Sequence, residues 1–234
     1  MKKKGTRILL WVVLLLLFSG LYLSREREAD AAAALAMAEE NVAMIGNTIV
    51  FTPAEAYYRG FIFYPGAQVA AEAYAPLMQR LAERDILCII VRMPLNLAFF
   101  SPMRAEGIPE RYPEVTDWVM GGHSLGGVMG AYCIAKHTDI FSGFALLGSY
   151  STKDLSESGL RVLSVTGSED GILNRGMYGK YLDKLPADRT ELVIEGGCHA
   201  FFGNYGEQTR DGAPTISREE QQERTAEAIE TLFD

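Results

Sequence analysis

One serine in this chain is framed by glycines. The stretch Gly121-Gly122-His123-Ser124-Leu125-Gly126-Gly127 follows directly on the apolar run Trp118-Val119-Met120. Within it, Gly122-x-Ser124-x-Gly126 has the spacing of a sharp strand-to-helix turn that lifts one hydroxyl clear of a sheet. Small residues are needed on both sides because the neighbouring backbones pass too closely for side chains. The helix-like run Val128 to Lys136 completes the context. Such a hydroxyl is placed to attack a carbonyl carbon. At neutral pH it is a weak nucleophile, so it requires a base and a third group to orient that base.

The chain has three histidines. His123 adjoins the serine within the strand, so its side chain is expected to point away from the nucleophile's face as a packed, hydrogen-bonded group. His137 falls at a predicted helix C-terminus, where an imidazolium suits the helix dipole. His199 follows a predicted strand and Gly196-Gly197, where a strand end can present it, and is the candidate base. The orienting acid is expected between serine and histidine in chain order. Gly167-Ser168-Glu169-Asp170-Gly171 supplies two carboxylates, with Asp170 the first choice beside its glycine and Glu169 the alternative. Negative charge developing on the attacked oxygen needs two backbone N–H donors. Leu125, at the start of the helix after the serine, is one candidate. Ala67, in Pro65-Gly66-Ala67-Gln68 after another strand, is the second.

Positioning these groups requires a sheet. Short β-branched or aromatic runs alternate with helical periods, the signature of a parallel sheet covered by helices. The predicted strands are Thr48–Phe51, Gly60–Tyr64, Ile86–Val91, Trp118–Gly122, Gly143–Leu147, Arg161–Thr166 and Glu191–Glu195. The predicted helices are Ala70–Glu83, Leu125–His137, Met177–Lys184 and Ser217–Phe233, the last opening on a Ser217-x-x-Glu220 capping box. About a dozen residues separate the strands ending at Leu147 and starting at Arg161, too few for a helical cap domain. Pocket walls are expected from Leu95, Leu97, Phe99, Phe100, Phe201 and Phe202.

Taken together, Tyr64-Pro65-Gly66-Ala67, Met93-Pro94-Leu95-Asn96-Leu97, the glycine-framed serine, Gly167-x-x-Asp170-Gly171 and Gly196-x-x-His199-Ala200-x-Phe202-Gly203 resemble the α/β-hydrolase superfamily. They are most similar to its small, lid-poor, dienelactone-hydrolase-like bacterial branch, over residues 60 to 205. The resemblance implies an eight-stranded, mostly parallel sheet flanked by helices and a triad of Ser124, Asp170 and His199. Dienelactone hydrolases proper use a cysteine nucleophile. Serine at this position instead favours ester or thioester chemistry.

The N-terminus carries a membrane signal. Lys2, Lys3, Lys4 and Arg7 precede the uncharged run Ile8 to Leu23, whose sixteen residues make about 24 Å of helix. This length lies between a signal-peptide core and a spanning helix. Trp11 and Tyr22 suit an anchor, whereas Ala29-x-Ala31 and Ala31-x-Ala33 suit cleavage. The charged cluster Arg25-Glu26-Arg27-Glu28 is unusually polar for a cleavage region. The expected organisation is therefore a cytoplasmic tail (1–7), a transmembrane signal-anchor (8–24), a helical stalk (25–45) and a catalytic domain (46–234). The lysines stay inside and the body is exported; cleavage would make it a secreted protein.

Composition narrows the function classes. The 234 residues carry a net charge of −8 and no basic stripe beyond the extreme N-terminus, which disfavours nucleic acid, and no nucleic-acid partner is expected. Three cysteines without C-x-x-C spacing indicate neither a zinc site nor a disulfide framework. The expected activity is a membrane-tethered serine hydrolase of carboxylesterase type acting on small-molecule esters, with no cofactor or metal. Two other readings stand beside it: a lipase or lysophospholipase working at the membrane, and a catalytically silent binding or scaffold protein on the same fold.

Overall fold

The computed structural model describes residues 11–13, 20 and 26–233. Eight strands form one sheet: β1 (Val42–Ile45), β2 (Thr48–Phe51), β3 (Arg59–Tyr64), β4 (Ile86–Val91), β5 (Asp117–His123), β6 (Phe141–Leu147), β7 (Arg161–Gly167) and β8 (Thr190–Ile194). Their spatial order is β1-β2-β4-β3-β5-β6-β7-β8. Pairing is antiparallel from β1 through β2 to β4 and parallel from β4 onward. Among residues 26–233, five α-helices accompany the sheet: α1 (Ala31–Met37), α2 (Ala75–Ala82), α3 (Leu125–Ile134), α4 (Arg175–Tyr181) and α5 (Arg218–Glu230).

The central strands are apolar along their whole length because both faces of the sheet are covered. In β4, Ile86, Cys88 and Ile90 point into one core with Leu77, Met78, Leu81 and Ile229 of α2 and α5. Leu87, Ile89 and Val91 point into the opposite core with Met129, Cys133 and Ile134 of α3. The capping box of α5 forms as its residues predict, with Ser217 Oγ accepting from the Glu220 amide at 3.0 Å. The sheet order has a functional consequence. From β3 the chain crosses to β4 on one side and later returns to β5 on the other, so the connections diverge at the carboxyl ends of β3 and β5. A crevice opens at such a switch point.

The segment expected to be a helical stalk is instead attached to the body. Arg27 forms a β-bridge with Val69, Asp30 caps α1, and Ala33 is wholly buried. Val42–Ile45 at its end is β1, a strand the sequence pattern does not announce because three of its four side chains are exposed on the sheet edge. The proposed tail (1–7) lies outside the described residues. Of the apolar run, only 11–13 and 20 are described, and these are helical and exposed. Among the described residues no helix is long and apolar enough to cross a membrane.

Candidate active site

Ser124 sits between β5 and α3 with φ 53° and ψ −123°, a left-handed conformation that strains any residue other than glycine. The surrounding glycines make the turn possible. A Cβ on Gly126 would collide with the Tyr64 carbonyl oxygen, and one on Gly122 would come within 2.5 Å of the Gly126 carbonyl carbon. The elbow is also tied down from behind. The Ser124 amide donates to Leu147 O at 3.0 Å, and Ser149 Oγ donates to Ser124 O at 2.7 Å.

The loop after β7 places Asp170 in a buried position. Its Oδ1 accepts from the Ile172 and Leu173 amides at 3.0 and 2.8 Å, and its Oδ2 lies 2.8 Å from His199 Nδ1. Burial works to raise the carboxyl pKa. The hydrogen bond and charge of His199 and the two amides outweigh burial, holding the group below the ordinary carboxylate value. Glu169 is exposed, and its side chain accepts from Ser168 Oγ rather than reaching the histidine.

His199 follows β8 and is 1% exposed. Its loop is clamped by two side chains that the sequence pattern does not single out. Asp211 Oδ1 accepts from the His199 amide at 3.2 Å and from the Gly171 amide at 3.1 Å, while its Oδ2 accepts from the Ala200 amide at 2.7 Å. One carboxylate thus joins the loop of the acid to the loop of the base. Gln221, on α5, accepts from the Cys198 amide and donates to the Cys198 carbonyl, at 2.9 and 2.8 Å. The Cys198 thiol is pushed up to about 12, first by burial and then by the charge of Asp211, so it stays protonated.

The other two histidines are occupied. His123 shares a 2.8 Å hydrogen bond between Nδ1 and the Tyr74 hydroxyl, and its ring lies 4.4 Å from that of His199. It is packed and hydrogen-bonded, as expected of it, but against the base rather than remote from it. Burial, reinforced by the neighbouring His199, lowers its pKa well below the usual value. His137 Nε2 lies 2.9 Å from Glu106 Oε1, beyond the end of α3.

The loop after β3 presents one uncommitted amide. Gly66 N–H donates to the Tyr74 hydroxyl and Gln68 N–H to Asn96 O, at 3.0 and 2.9 Å. Between them, Ala67 N–H has no acceptor among the described residues. The Leu125 amide, at the first turn of α3, is one of the donors that a helix leaves unsatisfied.

Ser124, Leu125 and His199 line one open cleft of about 220 Å³ with Val128, Tyr150, Ile172, Leu173 and Asn174. The six residues expected as pocket walls are not among its lining. Leu95, Phe99 and Phe100 are exposed, Leu97 is half-buried, and Phe202 is core packed against His123. Phe201 lies under the Arg218 guanidinium, 4.7 Å from ring centre to Cζ. The walls come instead from the segment after β6, the β7–α4 loop and α3, gathered around the serine by the sheet. A larger cleft of about 450 Å³ opens near the amino ends of β7 and β8, and no histidine lines it. Among the described residues, no group of three or more histidine, cysteine or acidic side chains is arranged to hold a metal ion.

The model of the alpha/beta hydrolase family matches residues 60–223. None of the curated proteins compared matches the sequence. Among solved structures, Est1E from Butyrivibrio proteoclasticus superposes with a TM-score of 0.61 at 14% identity, covering 82% of this chain and 97% of that one. A predicted CIB-like hydrolase from Thermoplasma acidophilum gives 0.60 at 15% identity, covering 82% and 98%. A carboxylesterase from Mesorhizobium loti gives 0.54 at 16% identity, covering 68% and 92%. At these identities the likeness is one of fold.

Proposed function

The chain belongs to the alpha/beta hydrolase family, and from that premise we propose that it is a serine esterase tethered to the membrane with its body outside the cytoplasm. The observation that carries the esterase reading is the pairing of His199 with the buried Asp170 in the same cleft as the strained Ser124. Ser124 Oγ attacks the ester or thioester carbonyl, and His199 takes its proton. Asp170, acting on Nδ1, holds the imidazole in the tautomer that leaves Nε2 free to accept. The amides of Leu125 and Ala67 receive the developing oxyanion. His199 returns the proton to the leaving alcohol, and water, activated by the same imidazole, then releases the acyl group from Ser124.

Two features support a retained anchor over a cleaved signal. Cleavage after Ala31 or Ala33 would remove Arg27 and Asp30, which are bonded to the body, and the second cut falls at a wholly buried residue. The lysines before the apolar run orient it with the body outside.

A fluorophosphonate probe tests the nucleophile. It should label Ser124, and Ser124→Ala should abolish both labelling and turnover of aryl esters, an effect of about 10⁴–10⁶ in rate. Labelling that survives the substitution sinks the esterase reading. Protease added to intact cells should reach the body, and carbonate washing should leave the full chain in the membrane. A shortened protein in the medium would overturn the tether.

A further inference from the structure

The short segment that follows the apolar run is bonded to the candidate oxyanion loop itself. Arg27 N–H donates to Gln68 O at 2.7 Å, the Ala70 amide donates to Arg27 O at 3.0 Å, and Arg27 Nη1 reaches Ala67 O at 3.4 Å. Gln68 N–H in turn donates to Asn96 O at 2.9 Å. Residues 27, 68 and 96 are therefore hydrogen-bonded side by side. Leu23, the last apolar residue of the run, precedes Arg27 by only four peptide steps. A chain extends at most about 3.6 Å per residue, so these two residues are within about 14 Å. An anchor ending at Leu23 therefore keeps residues 27, 68 and 96 close to the outer surface of the bilayer.

The next observation is independent of the tether. The Asn96 loop carries a cluster of apolar side chains that the body leaves uncovered: Leu95 is 59%, Phe99 66% and Phe100 52% exposed. The two phenylalanine rings meet edge to face at 5.8 Å, so they form one surface. Leu95 and Asn96 are both left-handed, with φ 52°. Two consecutive non-glycine residues accept this strain in a turn that leaves a leucine exposed. The cleft itself, about 220 Å³, is smaller than the ~300–1,000 Å³ that usually encloses a small ligand. It can take the ester group and leaves a long acyl chain outside.

We infer that Leu95, Phe99 and Phe100 insert into the outer face of the lipid bilayer, so that the cleft draws esters of membrane-dissolved, long-chain lipids directly from the membrane. This rests on the tethered-esterase reading and gives it a substrate class. The free energy of inserting three apolar side chains adds to the anchor and fixes the body's orientation, with the serine facing the lipid.

The test uses the full chain in phosphatidylcholine–phosphatidylglycerol vesicles. Phe99→Cys is labelled with an environment-sensitive nitrobenzoxadiazole dye; the native cysteines are buried. Asp188→Cys, an exposed site near the amino end of β8, serves as the comparison. Dye at position 99 should shift to the blue and be quenched by doxyl-labelled lipid, and dye at position 188 should do neither. Equal quenching at both positions overturns the inference. So does a blue shift without doxyl quenching, which would mean that a second protein copy covers the patch. A chain that fails to float with the vesicles removes the tether and the inference with it. The triple variant Leu95→Ser, Phe99→Ser, Phe100→Ser should turn over a bilayer-dissolved long-chain ester at least 10-fold more slowly and a water-soluble acetate ester unchanged. Equal rates on both esters count against the inference alone. Loss of turnover on both esters by the unsubstituted chain counts against the esterase reading and leaves the quenching result standing.

Discussion

The loops that hold the candidate acid–base pair and the loop that holds the candidate oxyanion donor Ala67 are built in opposite ways. Around the candidate acid and base, Asp170 and His199 are buried, and the backbone at Gly171, Cys198 and His199 is tied by side chains from further along the chain, Asp211 and Gln221. The candidate oxyanion loop at Ala67, by contrast, is bordered by exposed apolar residues and by a turn with two left-handed non-glycine residues. A proton relay depends on tenths of an ångström and on a dry environment. A surface that receives substrate needs accessible apolar area. Loops at the carboxyl ends of the strands thus meet two demands, one set locked and the other open, and substitutions in the two regions should behave differently.

The largest effect is expected at the acid. Asp170→Asn should lower kcat/KM by about 10⁴ through loss of the correct imidazole tautomer, with the fold retained by circular dichroism. Glu169→Gln should change the rate by less than about 3-fold, since loss of one exposed carboxylate that does not touch His199 is a small perturbation. The reverse ranking would move the acid to Glu169.

Next comes the clamp. Asp211→Ala frees the amides of Gly171, His199 and Ala200 at once. A displacement of about 1 Å in the relay should reduce kcat by about 10²-fold. KM for a small ester should change little, because Asp211 does not line the cleft. Asp211→Asn, which keeps one acceptor oxygen, should recover part of the loss. A variant that melts earlier with kcat unchanged would reduce Asp211 to a purely structural role.

A smaller effect concerns pH. Burial keeps His123 neutral in the fold, so its pKa is lower folded than unfolded. Below the unfolded value, near 6.5, the unfolded chain binds a proton that the folded chain refuses. Stability is thus complete above that pH and falls as pH drops toward the folded pKa, by up to about 1.4 kcal/mol per unit. His123→Gln should flatten the urea midpoint between pH 6.5 and 5, whatever it does to stability at pH 8. An unchanged slope would show that His123 protonates freely in the fold.

The smallest effect belongs to the open side. Leu95→Gly relieves a left-handed φ but gives the unfolded chain more freedom. The two contributions oppose each other, so stability should stay within about 1 kcal/mol. Turnover of a water-soluble ester should stay within a few-fold. A large loss would show that this turn shapes the cleft after all.

Much of the framework was legible because it depends on short-range pattern. Seven strands announce themselves as apolar runs, and Ser217-x-x-Glu220 marks the start of α5. Gly122 and Gly126 leave room for a backbone contact made within the elbow and against the adjacent strand end. Asp170 and His199 each follow a strand, and parallel strands bring their carboxyl ends together whatever the intervening helices contain. For these residues, local order along the chain already implies proximity.

The remainder depends on distances in sequence that carry no periodicity. The Leu95–Phe100 stretch reads as apolar and near the site, but which way the turn faces is set by Gln68 bonding to Asn96, and that turn leaves the aromatic rings outside the cleft. The clamp of Asp211 on His199 and Gly171 is invisible in a chain where Asp211 sits in an ordinary polar loop. The same holds for residues 26–45, whose alanines and charges predict a free helix. The bridge from Arg27 to Val69, the bonds of Asp30 with Asn204 and Arg218, and an edge strand pairing with Thr48–Phe51 join them to the body. By itself the sequence determined most of the elements and which candidate residues stand at their ends, because alternation, glycine spacing and caps act over a few residues. Only the tertiary structure decided what encloses the cleft, what holds the Asp170 and His199 loops together and which way the Leu95–Phe100 turn faces, because those depend on hydrogen bonds between segments whose meeting no local pattern encodes.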